Sequence, residues 1–170
     1  TDVSDDGVCG ACQKEFNLRL IKTNGKSLYY TGFKDAITDA SLAANKGCTV
    51  KLYKTVTLTE AERYIYLDGG EFTIDLNGYD VNTQLTIFLE NADLTIKTSV
   101  VRNTYTTFYP TIRLDDGGVL RCRHDQEGSY INLNLLGFVQ TKNVTAKMYL
   151  GTGVYLSVLS FGGSSMTTGE

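Results

Sequence analysis

The chain has 170 residues, 42% hydrophobic and 21% charged, with a formal net charge of −3, one proline and no tryptophan. That is enough chain for one domain with its own core, without metal or disulfide staples. The aliphatic and aromatic content excludes global disorder, no apolar run is long enough for a transmembrane helix, and the mild acidity without a basic stripe leaves no footprint for nucleic acid. The Thr-, Tyr-, Asn- and Gly-rich, Pro-poor composition suits a secreted or cell-surface protein. The opening Thr1-Asp2-Val3-Ser4-Asp5-Asp6 is acidic where a signal peptide is basic and then apolar, so the sequence reads as a mature protein or an excised piece. It holds one Asn-x-Thr triplet, Asn143-Val144-Thr145.

Residues 1–27 read as a polar lead-in with Cys9-Gly10-Ala11-Cys12, an apolar run from Phe16 to Ile21 and a turn at Asn24-Gly25. A Cys-x-x-Cys pair can close a small disulfide, remain reduced, or supply half a zinc site. The obvious further ligands would be His124 and Asp125. Residues 28–160 read as the folded domain. A helix is predicted over 31–47, because Phe33, Ala36, Ile37, Ala40, Ala43 and Ala44 fall on one face, with Thr31 as N-cap, Asp35 near the positive end and Gly47 as the stop. Residues 161–170 are a Gly/Ser-rich tail.

From Cys48 onward the hydrophobic period is two, and the pattern repeats. Ile65-Tyr66-Leu67-Asp68-Gly69-Gly70-Glu71-Phe72-Thr73-Ile74 aligns with Ile87-Phe88-Leu89-Glu90-Asn91-Ala92-Asp93-Leu94-Thr95-Ile96. With one insertion it aligns again with the segment from Ile112-Arg113-Leu114 to Cys122, and weaker echoes begin at Ile131 and Met148. A unit this short cannot bury its own apolar face and must stack on its neighbours. An antiparallel sandwich and a parallel solenoid both use such units, but only the solenoid accounts for equivalent turns recurring once per coil. The expected fold is therefore all-β: a parallel β-helix of about five coils with one N-terminal capping α-helix. Ile65, Ile87 and Ile112 should form one interior ladder, and Ile74, Ile96 and Cys122 another. Cys48 and Cys122 should be interior thiols about three strand spacings apart, on the order of 14 Å, too far for a disulfide.

Gly32-Phe33-Lys34-Asp35-Ala36-Ile37, Ala43-Ala44-Asn45-Lys46-Gly47-Cys48-Thr49-Val50-Lys51-Leu52, Val56-Thr57-Leu58 and Ile74-Asp75-Leu76-Asn77-Gly78 carry a resemblance. Residues 31–96 resemble the capping helix and first coils of right-handed parallel β-helix modules of bacterial extracellular proteins, the pectin-lyase-like superfamily in the broad sense. The resemblance implies adhesins, stalks or carbohydrate-active enzymes alike, the enzymes acting on acidic polysaccharides as lyases or hydrolases.

Hydrolysis would need a carboxylate pair. Asp68, Glu71 and Asp75, or Asp115, Asp116 and Asp125, are the candidates, yet most sit in turns where Asp bonds to backbone. A polyuronate lyase would use Arg or Lys, and Arg121-Cys122-Arg123-His124-Asp125 is the densest polar cluster, with Arg121 and Arg123 facing outward by parity and the only histidine beside them. Thr55, Thr57 and Thr59 also face outward, but Tyr66, Phe88 and Arg113 break the ladder an ice-binding surface needs. The outward aromatics Tyr64, Tyr66 and Phe88 can stack on sugars, anchor a protein partner, or cover the lead-in around Phe16 and Leu18.

The reading is a non-catalytic extracellular module, a scaffold or adhesive domain for a glycan or protein surface, with no cofactor or metal. Its ligand candidates are Tyr64, Tyr66, Phe88, Arg121, Arg123 and His124. A polysaccharide lyase or hydrolase is the first alternative and a self-assembling structural subunit the second. At the C-terminal end Met148-Tyr149-Leu150 and Val154 to Leu159 stay apolar without a second capping helix. That end is expected to be completed by further coils, a following domain or another copy.

Overall fold

The computed structural model of the chain describes residues 3–4, 6–58, 64–82, 86–102, 105–115, 117–124, 130–137, 146–151 and 153–161, without the side chains of 124, 133–137 and 156–161. The lead-in folds back as a hairpin of β1 (Leu18–Ile21) and β2 (Ser27–Tyr30) around the Asn24-Gly25 turn. Helix α1 (Phe33–Ala40) follows, then a 3-10 turn (Ala43–Asn45) and β3 (Cys48–Leu52). The helix is thus shorter than the span expected for it. Its N-cap is Gly32 rather than Thr31, with no side-chain cap. After Ala40 the chain tightens, and the side chain of Asn45 ties the end down by donating to the carbonyl of Asp39 at 2.7 Å. Tyr30 hydrogen-bonds Asp39, joining the hairpin to the helix.

The remaining strands are β4 (Tyr64–Asp68), β5 (Glu71–Asp75), β6 (Thr86–Glu90), β7 (Asp93–Thr98), β8 (Thr106–Phe108), β9 (Thr111–Leu114), β10 (Val119–His124), β11 (Ile131–Gly137), β12 (Lys147–Leu150) and β13 (Val154–Phe161). They wind as a parallel β-solenoid with three faces. The broad sheet runs β12-β10-β7-β5-β3-β1-β2, parallel from β12 to β3 and closed by the antiparallel hairpin. The second sheet runs β13-β11-β8 and is extended toward the cap by single parallel bridges at Val81 and Val56. The third runs β4-β6-β9.

Only three turns carry strands around all three faces among the described residues, so the expected five coils are corrected to about three. The reason lies in the two weak echoes. Ile131 pairs with Thr106 on the second sheet, and Met148 pairs with Leu120 on the broad sheet, so neither begins a further copy of the third-sheet strand. Apolar-x-apolar marks an inward pair on any face, and counting every such pair as a coil inflates the number.

The strong copies are in register. Ile65 pairs with Ile87 and Ile87 with Ile112, and all three are buried. Ile74, Ile96 and Cys122 stack likewise. One continuous core runs from Phe33 and Ile37 of α1 through these ladders to Leu120 and Cys122. Turns are held by polar side chains reaching between coils. Buried Asp75 accepts from the backbone of Asn77 at 2.9 Å and of Ser99, one coil on, at 3.1 Å. Asn77, in the left-handed region at φ 48°, donates from its side chain to the carbonyl of Leu52, one coil back, at 2.9 Å. Gly70 (φ 95°) lets the next corner approach the helix end, since a Cβ there would lie 2.5 Å from the carbonyl oxygen of Ser41.

Candidate functional site

Strand alternation sends every second residue of the third sheet outward, and parallel in-register pairing lines those residues up across the rungs. Three rows result: Tyr64 beside Thr86 and Thr111, Tyr66 beside Phe88 and Arg113, and Asp68 beside Glu90, with Asp115 following Leu114 at the next rung. The middle row is a stack. The rings of Tyr66 and Phe88 lie 4.4 Å apart and 14° from parallel, and the Arg113 guanidinium sits 5.3 Å from the centre of Phe88. Because Tyr66 and Arg113 occupy opposite neighbouring rungs, they cover opposite sides of Phe88. Tyr66 caps the stack and is 71% exposed, while Tyr64 leans on Phe88 at 6.2 Å. The two tyrosines do not cover the lead-in. Leu18 is buried in the broad sheet, and Phe16 packs on Tyr29 instead.

Below the stack lies a shallow groove of about 360 Å³ lined by Tyr66, Leu67, Asp68, Phe88, Glu90, Arg113 and Asp115. Arg113 pairs with Asp115 at 3.2 Å, and Asp68 accepts from the Asn91 side-chain amide at 3.2 Å. The groove therefore joins an open aromatic ring to a row of carboxylates on a rigid sheet.

The basic cluster lies on another face. Arg121 projects outward from β10 in the broad sheet and grips Asp93 with two bonds, at 3.2 and 3.0 Å, while its guanidinium rests 4.6 Å above the Tyr149 ring. The Asp93 carboxylate raises the Arg121 pKa further. This side chain fastens β7, β10 and β12 together. Arg123 is exposed on the same face; the side chain of His124 and all of Asp125 lie outside the described residues. The six candidates thus divide between two sheets rather than converging.

The other carboxylates proposed for hydrolysis have structural partners: Asp75 holds its turn, and Glu71 pairs with Lys46 at 3.2 Å. Asp116, like Asn143 and Thr145 of the sequon, is outside the described residues, whereas Thr55 and Thr57 face outward as expected. All four cysteines are free, and no group of three or more His, Cys, Asp or Glu is placed to hold a metal among the described residues. Cys9 is buried and Cys12 exposed, and hydrogen bonding from the Cys12 thiol and then the backbone of Cys12 and Ala11 lowers the Cys9 pKa. Cys48 and Cys122 are interior, and burial pushes their thiols up to about 11 and about 12.

A second aromatic cluster escaped the sequence reading. Tyr105, Tyr130 and Tyr155, all exposed at the second sheet, meet edge to face with ring centres 4.8–6.1 Å apart. The signal was available, since the three tyrosines recur every 25 residues. They stand at or just before strands whose inward residues differ in type, so no repeat of core residues draws attention to them. Among the described residues no helix is long and apolar enough to cross a membrane. No family model, curated protein or solved structure matches the chain, so the stacked-coil fold stands on its own geometry and the pectin-lyase-like resemblance is not confirmed.

Proposed function

We propose that the protein is a non-catalytic extracellular module of the bacterial parallel β-helix kind, whose third sheet presents Tyr66, Phe88 and Tyr64 as a glycan-binding surface. One observation carries the reading: Tyr66 ends an aromatic stack on a rigid sheet and is itself 71% exposed. An apolar ring held open to water favours the C–H face of a pyranose, and polar groups beside it can take the hydroxyls. Tyr66→Ala should lower affinity for a bound oligosaccharide about tenfold, with an unchanged thermal midpoint, as read by glycan array followed by calorimetry. Equal binding by wild type and variant would remove the site. A reducing-sugar and unsaturated-uronide assay on the same samples separates this reading from a lyase or hydrolase.

A second reading rests on the outer edge of β12, which has no partner strand beyond it among the described residues and leaves Met148 and Leu150 only half-buried. An unpaired edge favours addition of a second copy. Sedimentation across a hundredfold concentration range should show reversible association that Met148→Lys weakens. A single species throughout would count against it.

A further inference from the structure

Resting on the glycan-binding reading, we infer that the third-sheet groove takes a cationic amino-sugar oligomer rather than an acidic polysaccharide. Among the described residues the groove lines up three carboxylates, Asp68, Glu90 and Asp115, against one cation, Arg113, and Arg113 is already paired with Asp115. Among the described residues Glu90 has no ion pair and the Asp68 carboxylate accepts only from the neutral amide of Asn91. A uronate chain laid on Tyr66 would bring its carboxylates against this row, where like charges repel. A chain of glucosamine units instead places ammonium groups beside Asp68 and Glu90, and the exposed Tyr66 face attracts a cation as well as a C–H face.

The register adds a spatial argument. Tyr66 and Asp68 lie two residues apart on one strand, as do Phe88 and Glu90 on the next, so ring and carboxylate repeat together along the stack. Phe88 is covered on both sides, so the row offers one open ring face, on Tyr66, beside carboxylates that recur rung by rung. A ligand with an apolar ring face and a repeated positive charge matches it. A basic peptide carries the charge but has no rigid ring to lie on Tyr66, so the sugar is favoured.

The test uses the full chain at about pH 6, where exposed carboxylates are ionised. Calorimetry would compare tetra-glucosamine, its fully N-acetylated counterpart, tetra-galacturonate and tetra-lysine. The expected result is that tetra-glucosamine binds about tenfold tighter than the N-acetylated tetramer, with galacturonate weakest and salt narrowing the gap. Asp68→Asn with Glu90→Gln should abolish that gap, and an unaltered circular dichroism spectrum shows that the variant is folded. No gap, a gap the double variant keeps, or tetra-lysine binding as tightly as tetra-glucosamine would overturn the inference. If the N-acetylated tetramer binds through Tyr66 without such a gap, glycan binding stands and the charge selection falls. If no tetrasaccharide binds, both fall.

Discussion

At the N-terminal end of the stack the inward side chains of β3 and of the helix over it are shut off from water, whereas at the C-terminal end those of β12 are only half-buried. Cys48, Val50 and Leu52 of β3 are fully buried, and so are Phe33, Ala36, Ile37 and Ala40 of the helix laid over them. The broad sheet does not stop at β3 but turns into the antiparallel β1–β2 hairpin, which satisfies the β3 edge before the chain enters the coils. At the other end β12 is the outermost strand of the broad sheet among the described residues, with Met148 and Leu150 half-buried and Lys147 exposed. Both ends face the same problem, the open edge of a parallel sheet. One solves it within the chain with a hairpin and an amphipathic helix, and the other shows no such device among the described residues. A solenoid of this size owes a large share of its cooperativity to how its ends are finished, because each coil contacts only its neighbours.

The difference can be broken most directly by truncating an apolar side chain at each end. Phe33 is fully buried, with its ring 6.5 Å from that of Phe108. Phe33→Ala should lower the unfolding free energy by about 3–5 kcal/mol in denaturant titration. Met148→Ala, at a half-exposed site, should lower it by only about 1 kcal/mol. If the two costs came out equal or reversed, the contrast between the ends would be lost.

An intermediate effect belongs to the middle of the stack. Asp75 bonds to the backbone of its own turn and of the following one, so Asp75→Ala leaves two partly buried N–H groups short of an acceptor. The expected loss is about 1–3 kcal/mol, with Asp75→Asn recovering part of it. Amide exchange should show the loss at Asn77 and Ser99 before it reaches β1 and β2. Uniform loss of protection would mean that the turns do not act as separate rivets.

What the sequence made legible follows the same division. The third-sheet ladder through Ile65, Ile87 and Ile112 could be read because one residue type recurs in one context, with a Gly or Asn turn behind it. The inward placement of Cys48 and Cys122 and the outward placement of Tyr66 followed from period two alone. The number of turns could not be read from that signal, because Ile131 and Met148 carry the same inward pattern on other faces. The lead-in was misleading for a related reason: Leu18 to Ile21 shows two inward positions only, too few to announce a strand, and its pairing with β3 is long-range. Of the candidate site, the aromatic stack was visible as outward parity. The engagement of Arg121 with Asp93 was not, since residues 28 positions apart meet only once the coils are stacked.

The finest probe of the two ends is the pair of interior thiols. Cys48 sits on β3 beneath the hairpin and helix, and Cys122 sits on β10, with only β12 beyond it in the broad sheet among the described residues. Burial raises both thiols, with Asp39 adding to the effect at Cys48. Because the folded values lie above the usual thiol value of 9.0, these two groups contribute no penalty below that pH. Stability should then fall as pH climbs from about 9 toward about 11 and 12, where the unfolded chain alone can shed the protons. Near neutral pH neither thiol reacts while closed, so modification reports opening of the structure around it. Exposed Cys12 should label at once. Cys122 should then label roughly tenfold faster than Cys48, although its folded thiol is the more strongly raised, because fraying of β12 uncovers it without unfolding the capped end. Met148→Ala should widen that interval by speeding Cys122 alone, and Phe33→Ala should close it by speeding Cys48. Equal rates for the two thiols in the wild-type chain would mean that the stack opens as one unit and that the difference between its ends has no dynamic consequence.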